Sequence, residues 1–456
     1  MSKTIFWGLC VVLLALPLPF GGDVPWAVFV FECATFILAL LHLTRSLKGT
    51  DKGLGKNRLP LSLKACLWIF IAVTAFQLVP FSAAVLRFIS PRTASTYGEL
   101  GIEGWRPLSF AGWLSLSDIV KYLFFFLFAF FVFRYVRTRK RAKIFGIVLL
   151  ASGVFQAFYG LLEYFGGTEK IFKFKRSYHL GSATGTYINR DHFAGLLEML
   201  FPLALGYLLA KANFFRLKKG LTLKEKIVWF SQERLQKAII FGLIAVIIGL
   251  GIVFSRSRSG IFIFVATIFL MSVALSTGDP GRRPVRLVRT VAWIVVFAAI
   301  MIGIRPVIER FTSQSLAKES RFMYYSNTLK YISAFPLTGT GLHSFVQIYP
   351  IFEVKFEKGI LDHAHNDYLE ILAESGVVGG GALIVFSFAG VGWIFAKWAK
   401  RKDPFVRGIV LGSLVGVIAL LLHSFTDFNL RIPANAVYFM TLFAFAARVV
   451  DIRNED

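Results

Sequence analysis

One histidine of this 456-residue chain, His365, lies at a position suited to proton transfer with a substrate. His365 and Asn366 lie in DHAHNDYLEILAESGVVGGG, directly before a helical pattern of apolar residues. An imidazole at the start of a helix near a membrane surface can exchange protons with a substrate from either phase. The structural alternative is a surface histidine that caps the helix or hydrogen-bonds locally, and spacing alone favours it. A zinc site is a further alternative, with the ligands Asp362, His363, His365 and Asp367.

A pair of arginines lies between two strongly apolar segments. Arg256 and Arg258 belong to the tract SRSRSG. An arginine beside the membrane is costly unless it is paired or hydrated, so its position suggests a function. The planar guanidinium is well shaped for bidentate recognition of phosphate. The structural alternative is a short loop whose arginines reach lipid headgroups, and it fits the sequence equally well.

Two more tracts combine ionisable residues at the ends of apolar segments. In LLHSFTDFNLRIPANAVYF, His423 and Asp427 are four residues apart and can face each other on a helix, and Arg431 follows in the turn. We favour a structural contact between the last two helices here. In SATGTYINRDHFAGLLEMLFPLALG, Arg190 lies in a polar cluster that can bind sugar hydroxyls. The alternative is a helix N-terminus capped by Asn or Asp.

The elements that must position these residues are membrane helices. The chain is 56% hydrophobic and 17% charged, whereas a soluble domain carries about 25% charged residues. Apolar sequence of this extent excludes a soluble nucleic-acid-binding protein despite the net charge of +25. Helices are the expected form because each span must satisfy its own backbone. We predict twelve spans, at 5–20, 24–43, 65–89, 116–135, 144–166, 192–212, 238–255, 259–275, 291–304, 376–396, 408–426 and 434–449.

The distribution of charge predicts the orientation of these spans. Nearly all of the net positive charge lies in alternate connecting segments, which the positive-inside rule assigns to the cytoplasm. Both termini are then cytoplasmic. The longest segment on the opposite side, residues 305–375, carries nearly balanced charge, and long loops of this kind are usually functional. We predict nine helices in 1–304, a helical outer domain in 305–375, and three helices in 376–456.

Taken together, the four tracts resemble the O-antigen ligase and polymerase family of bacterial envelope glycosyltransferases. The most specific part is His365-Asn366, a gap of nine residues, and then the glycines of GVVGG from Gly376 to Gly380. The tracts ATGTYINRDHFAG, SRSRSG, PLTGTGLHSF and HSFTDFNLRIPANA also resemble family blocks. The resemblance extends over about residues 150–440. The first 140 residues match only in hydropathy.

The resemblance implies an all-α polytopic membrane fold of the GT-C-like kind, with about twelve transmembrane helices and a periplasmic loop domain. It implies a metal-independent glycosyltransferase of the bacterial inner membrane that needs no cofactor and binds no nucleic acid. Its partners would be membrane lipids, a glycan donor on undecaprenyl diphosphate, and an acceptor. The acceptor would be lipid A–core sugar for a ligase, a further repeat unit for a polymerase, or a protein hydroxyl for a related transferase.

The resemblance also assigns roles to residues. His365 matches the essential histidine, Arg321 a loop arginine, and Arg258 or Arg256 the arginine between the seventh and eighth spans. The chemistry is consistent with these roles, since arginines can stabilise the charge that develops on a leaving diphosphate. An imidazole can take the proton of the attacking hydroxyl, and a single displacement would invert the anomeric centre. We add four candidates for substrate binding, namely Arg190, Asn366, His423 and Arg431.

A transporter for a polyisoprenoid-linked glycan is the alternative of another class. Transporters often contain inverted repeats and interrupted helices near the middle of the membrane. The two halves of this sequence show no repeat, and the polar residues gather at the predicted outer face. Both observations favour an enzyme.

Overall fold

The chain is described by a computed structural model that covers residues 1–49, 59–211, 233–276, 283–312, 321–354 and 360–453. Within these ranges the structure is almost entirely helical, and its only paired strands are the two-residue strands Lys170–Ile171 and Phe174–Lys175. Parts of four predicted cytoplasmic segments lie outside the described residues, at 50–58, 212–232, 277–282 and 454–456. Two parts of the predicted outer domain, 313–320 and 355–359, do so as well.

The helices follow the predicted order of spans. They are α1 (Ser2–Ala15), α2 (Pro25–Leu47), α3 (Leu61–Phe76), α4 (Ala83–Ile89), α5 (Pro91–Glu99), α6 (Gly112–Tyr135), α7 (Arg139–Gly166), α8 (Arg190–Leu209), α9 (Glu233–Phe254), α10 (Arg258–Ser276), α11 (Arg283–Ile302), α12 (Arg305–Thr312), α13 (Arg321–Ala334), α14 (Phe345–Ile348), α15 (Asp367–Ala399), α16 (Pro404–His423) and α17 (Pro433–Val449). Among the described residues, nine helices are long and apolar enough to cross a membrane: α2, α6 to α11, α15 and α16. The shorter α1, α3 and α17 occupy the other three predicted positions. The predicted fold class, an all-α polytopic membrane protein, is therefore confirmed.

Most of the predicted spans have different bounds in the structure, and the spans at 65–89 and 291–304 are two examples. The span predicted at 65–89 is wrong in its second half, because α3 ends at Phe76 and a separate helix begins at Ala83. Pro80 lies between them, and a proline cannot continue a helix without loss of a backbone hydrogen bond. The span predicted at 291–304 begins eight residues earlier, at Arg283. Arginine is a good helix former, so the charged start of this helix does not interrupt it.

The centre of the bundle is formed by α8 and α16, whose side chains are almost all buried. Their backbones touch at glycines. A Cβ atom on Gly206 would lie 2.3 Å from the carbonyl oxygen of Gly408, and one on Gly412 would lie 2.5 Å from that of Pro202. Small residues allow such close approach between membrane helices. This packing brings the start of α8 beside the turn that follows α16.

Helix α15 is interrupted near its first third. Gly376 has φ 66° and ψ 178°, which only glycine adopts readily, and a Cβ there would lie 2.2 Å from the carbonyl oxygen of Leu337. The predicted border between the outer domain and the final three helices, 375/376, coincides with this break, although α15 continues beyond it. The division into domains stays a prediction. The part after the break packs on α3, where Gly379 meets Val73.

Candidate active site

His365 precedes α15 and is fixed against the turn after α16. The amide of Asn366 donates from Nδ2 to the carbonyl oxygen of Phe425 at 3.1 Å, and the backbone N–H of Asp367 donates to that of Ser424 at 2.9 Å. The Asn366 side-chain oxygen caps α15 by accepting two backbone N–H groups of its first turn. His365 itself has φ 49°, a left-handed conformation that is strained for a non-glycine residue. The docking of this segment therefore holds the histidine in a conformation that it would otherwise leave.

A buried carboxylate orients the imidazole. His365 Nδ1 lies 3.0 Å from Asp427 Oδ1, and the Asp427 side chain is 2% exposed while that of His365 is 29% exposed. Burial raises the pKa of Asp427, but the hydrogen bond from His365 and the nearby charges of His192, His365 and Arg321 together outweigh it, and the pKa falls far below its usual range. Because a carboxylate only accepts hydrogen bonds, Nδ1 carries the proton. Nε2 is then the ring atom that can accept a proton from a substrate.

His365 lines a cavity of about 510 Å³ at which three helices begin. Each of these helices has an arginine as its first residue: Arg190 in α8, Arg258 in α10 and Arg321 in α13. The N-terminus of a helix attracts anions, and the guanidinium groups add formal positive charge. Arg321 is held by donation from Nη1 to the carbonyl oxygen of Thr426 at 2.7 Å. The remaining lining residues are His179, Asn189, Asp191, Ser259, Phe322, Tyr325, Phe425, Thr426 and Asp427.

The structure distinguishes the two arginines of SRSRSG. Arg258 lines the cavity, whereas Arg256 does not. Arg256 donates from Nη1 to the carbonyl oxygen of Gly181 at 2.7 Å and has φ 58°. Between them, Ser257 Oγ donates to Asp191 Oδ1 at 2.5 Å and so ties the start of α10 to the start of α8. Arg258 is therefore the member of the pair that can meet a substrate in this cavity.

His423, one of the predicted binding residues, is not among the residues that line the cavity. Its side chain is fully buried at the end of α16, and its Nδ1 lies 3.0 Å from Oε2 of Glu198 in α8. The contact that we expected between the last two helices therefore joins α16 to α8 instead. Glu198 is also fully buried, and a buried pair of this kind is costly to disrupt.

Arg431, also predicted to bind substrate, lines a different cavity of about 270 Å³. Its Nε lies 3.0 Å from Oε1 of Glu370, its Nη2 bonds to Glu374, and its Nη1 lies 3.6 Å from Oδ2 of Asp118. Glu370 also pairs with His363 at 2.8 Å. Burial lowers the pKa of His363, but the Glu370 carboxylate outweighs it and the pKa is raised. The other residues of this cavity are Asp23, Lys121, His343, Phe345, Val346 and Asp362.

The zinc site considered from the sequence does not form. His363 pairs with Glu370, His365 with Asp427, and Asp367 with Ser424, so the side chains do not converge. One other group in the described part of the chain has ligand atoms within 4.8 Å of one another, and it consists of Asp191, His423 and Asp427. Each of these three already has a partner, namely Ser257, Glu198 and His365. The absence of a bound metal stays a prediction.

Asp427 is the residue whose role the sequence did not reveal. It lies in a tract that we singled out, but its partner His365 is 62 residues away, and nothing local indicates the contact. The same holds for Phe428, whose ring packs against both His363 and His365.

Comparison with known proteins supports the resemblance. Residues 243–384 match the family model described as O-antigen ligase, and this range contains Arg258, Arg321, His365 and Asn366. Arg190, His423, Asp427 and Arg431 lie outside it. No curated protein matches the chain. The resemblance to the O-antigen ligase family is thus confirmed over this range, and it supports a glycosyltransferase of the ligase or polymerase type.

Proposed function

We propose that this multi-pass membrane protein with an O-antigen ligase domain transfers a glycan from undecaprenyl diphosphate to a sugar hydroxyl. One observation carries the proposal: a histidine oriented by a buried aspartate shares a single cavity with three arginines. The arginines suit a diphosphate, and the imidazole suits the activation of a hydroxyl. The residues in these roles are His365, Asp427, Arg190, Arg258 and Arg321.

The reaction is a single displacement at the anomeric carbon of the donor sugar. The acceptor oxygen forms a bond to this carbon, and its proton passes to Nε2 of His365. The bond between the carbon and the diphosphate oxygen breaks, and the electron pair leaves with undecaprenyl diphosphate. The anomeric configuration is inverted. In this scheme the charge on the leaving group is stabilised by Arg190, Arg258 and Arg321, so no metal ion is required.

Asp427 acts through His365 and not on the substrate. As an acceptor for Nδ1, it fixes the tautomer whose Nε2 is unprotonated. When the imidazole has taken the proton, the carboxylate stabilises the imidazolium at 3.0 Å. This carboxylate is buried and ionised, so it is available for that purpose at neutral pH.

The arrangement of the helices supports a periplasmic site in the bacterial inner membrane. Helix α8 runs from Arg190 at the cavity to Leu209, just before the basic segment 211–237. Helix α16 runs from Pro404, within the basic segment 397–407, to His423 beside the cavity. The cavity is thus at the end of the bundle opposite these basic segments. By the positive-inside rule, that end faces away from the cytoplasm.

The decisive experiment tests whether the purified protein transfers the glycan from the donor to an acceptor. Full-length protein in detergent is incubated with a glycan on undecaprenyl diphosphate and with lipid A–core or free glycan acceptors. We expect a glycoside product of inverted configuration, and we expect no product from His365→Ala that is equally well folded. A protein that yields no product with any acceptor, but moves the lipid-linked glycan across a vesicle membrane, would be a transporter and would refute the proposal.

A deletion strain distinguishes the ligase from the polymerase. Loss of all attached polymer, with lipid-linked polymer accumulating, identifies lipid A–core as the acceptor, which is the form of the proposal that we prefer. Attachment of single repeat units identifies a growing glycan chain as the acceptor.

A further inference from the structure

The cavity that contains Arg431 and His363 takes no part in the chemistry proposed above. It lies beside the reaction cavity, and the side chain of Phe428 contacts one histidine of each cavity. His363, which lines the second cavity, stacks on the ring of Phe428 with ring centroids 4.1 Å apart. His365, which lines the reaction cavity, meets the same ring edge-on at 5.0 Å. The ring of Phe428 therefore separates His363 of the second cavity from His365 of the reaction cavity.

The two cavities differ in charge. The reaction cavity has three arginines and two carboxylates in its lining, besides two histidines. The second cavity has one lysine, one arginine and two histidines, but its five carboxylates are those of Asp23, Asp118, Asp362, Glu370 and Glu374. A phosphate group would meet like charge there. Carboxylates accept hydrogen bonds from hydroxyl and ammonium groups, and such charge-assisted bonds are strong.

The inner wall of the second cavity is preorganised. The guanidinium of Arg431 lies 3.0 Å from the carboxylate of Glu370 and also pairs with Glu374 and Asp118. It therefore fixes the positions of all three carboxylates. The side chains of both glutamates are 1% exposed. Asp362 and Asp23 are exposed and complete the lining at the side open to solvent. The cavity therefore has a rigid acidic inner wall and accessible carboxylates at its edge.

We propose that this second cavity binds the acceptor glycan, as a neutral or amine-bearing sugar that carries no phosphate. The proposal rests on the function proposed above. The diphosphate of the donor occupies the arginine-lined cavity, and the acceptor presents its hydroxyl to His365 across the edge of Phe428. The excess of carboxylates in the second cavity disfavours binding of the donor diphosphate there.

Steady-state kinetics of the purified full-length protein test this assignment. The substitution Asp362→Asn removes one exposed carboxylate without changing its size, and Asp23→Asn removes a second. Glu103→Gln is the control, because Glu103 is exposed and lies in neither cavity. We expect the KM for the acceptor to rise roughly three- to tenfold in Asp362→Asn, with the KM for the donor unchanged. Glu103→Gln should change neither constant.

A pair of acceptors provides a test that needs no variant. One is an unphosphorylated oligosaccharide, and the other is the same molecule with a phosphate on the sugar next to the reacting one. We expect the wild type to use the phosphorylated acceptor at least about tenfold less efficiently in kcat/KM. The double variant of Asp23→Asn and Asp362→Asn should reduce this preference, because less negative charge opposes the phosphate.

The outcomes separate the two proposals. Absence of transfer by the wild type with every acceptor refutes the proposed function and the acceptor cavity with it. Normal transfer with equal use of both acceptors refutes the acceptor cavity alone. If Asp362→Asn changes the KM for the donor and not the KM for the acceptor, the acceptor cavity is also refuted, because the second cavity would then belong to the donor.

Discussion

At the scale of single residues, the site depends on a histidine held in an unfavourable backbone conformation. His365 has φ 49°, and its carbonyl oxygen accepts a hydrogen bond from the hydroxyl of Tyr325 at 3.0 Å. The carbonyl oxygen of Phe425 lies 3.1 Å from the same hydroxyl, whose one proton is shared between the two acceptors. The strain is therefore offset by contacts with α13 and with the turn after α16. Such strained residues are concentrated at functional sites.

Replacement of Asp427 tests the role of the carboxylate. In Asp427→Asn the side chain keeps its size but no longer stabilises the imidazolium or fixes its tautomer. We expect kcat to fall by about 10²- to 10⁴-fold, with the affinity for the donor within about twofold of wild type. Single-turnover rates and donor binding would measure the two effects. A variant with normal kcat would show that His365 does not need this partner.

Replacement of the arginines tests the binding of the diphosphate. Arg258→Lys keeps the charge but loses the planar fork that can contact two phosphate oxygens. We expect kcat/KM for the donor to fall by about 10- to 10³-fold. Arg256→Lys is the matched control, since Arg256 contacts the carbonyl oxygen of Gly181 outside the cavity, and it should remain within about threefold of wild type. Equal losses in both variants would contradict the assignment of Arg258.

The pairing of His363 with Glu370 predicts a dependence of stability on pH. The pKa of His363 is raised above the ordinary value of 6.5, because the neighbouring Glu370 and Glu374 carboxylates outweigh its burial and the opposing charge of Arg431. The stabilisation that this pair gives to the folded protein is then complete below about pH 6.5 and is lost as the pH rises through the raised pKa of His363. We expect the wild-type unfolding temperature to fall by a few degrees more than that of His363→Gln between pH 6 and pH 9. Parallel curves for the two proteins would show that the pair does not contribute.

At the scale of elements, the break in α15 allows one helix to serve both the site and the membrane. The part before Gly376 carries the cap at Asn366 and the carboxylates Glu370 and Glu374, and the part after it packs against α3. The peptide at Leu337 comes so close to Gly376 that no side chain fits between them. The loop after α13 thereby fixes the direction in which α15 leaves the site.

A methyl group at this position should therefore be poorly tolerated. In Gly376→Ala the new Cβ would lie 2.2 Å from the carbonyl oxygen of Leu337, and φ 66° is unfavourable for alanine. We expect a loss of about 3 kcal/mol or more in stability, and a lower yield of folded protein. Gly392→Ala in the same helix meets no atom within 4 Å and should be neutral or slightly stabilising. Thermal unfolding in detergent compares the two, and similar curves would contradict the role of the break.

At the scale of the whole molecule, hydropathy and motifs predicted the architecture, whereas the contacts within the site came only from the structure. The cap at Asn366 follows from local sequence, and so does the start of α8 at Arg190, because helix signals act over a few residues. The choice of Arg258 over Arg256, the pairing of His365 with Asp427 and the separate cavity of Arg431 depend on distant segments. No local pattern encodes such contacts.

The predicted orientation can be tested on the intact cell. In a background without Cys10, Cys33 and Cys66, a single cysteine is introduced by Glu103→Cys or by Lys48→Cys. We expect a membrane-impermeant thiol reagent to label the Glu103→Cys protein in intact cells with a permeable outer membrane, because residue 103 lies on the predicted side of the proposed site. The second should be labelled only after the inner membrane is permeabilised. Labelling in the reverse pattern would show that the orientation is the opposite of the predicted one.

The hydrogen bond between His365 and Asp427 also means that the candidate site is completed late in biosynthesis. Ribosomes deliver the chain from its N-terminus, so the segments with Arg190, Arg258, Arg321 and His365 enter the membrane before the turn that contains Asp427. A nascent chain that has reached α15 carries every arginine of this cavity but not Asp427, the partner of His365. It also lacks α16, which packs against α8 at the centre of the bundle, so the cavity is complete only after α16 and the turn that follows it have been inserted.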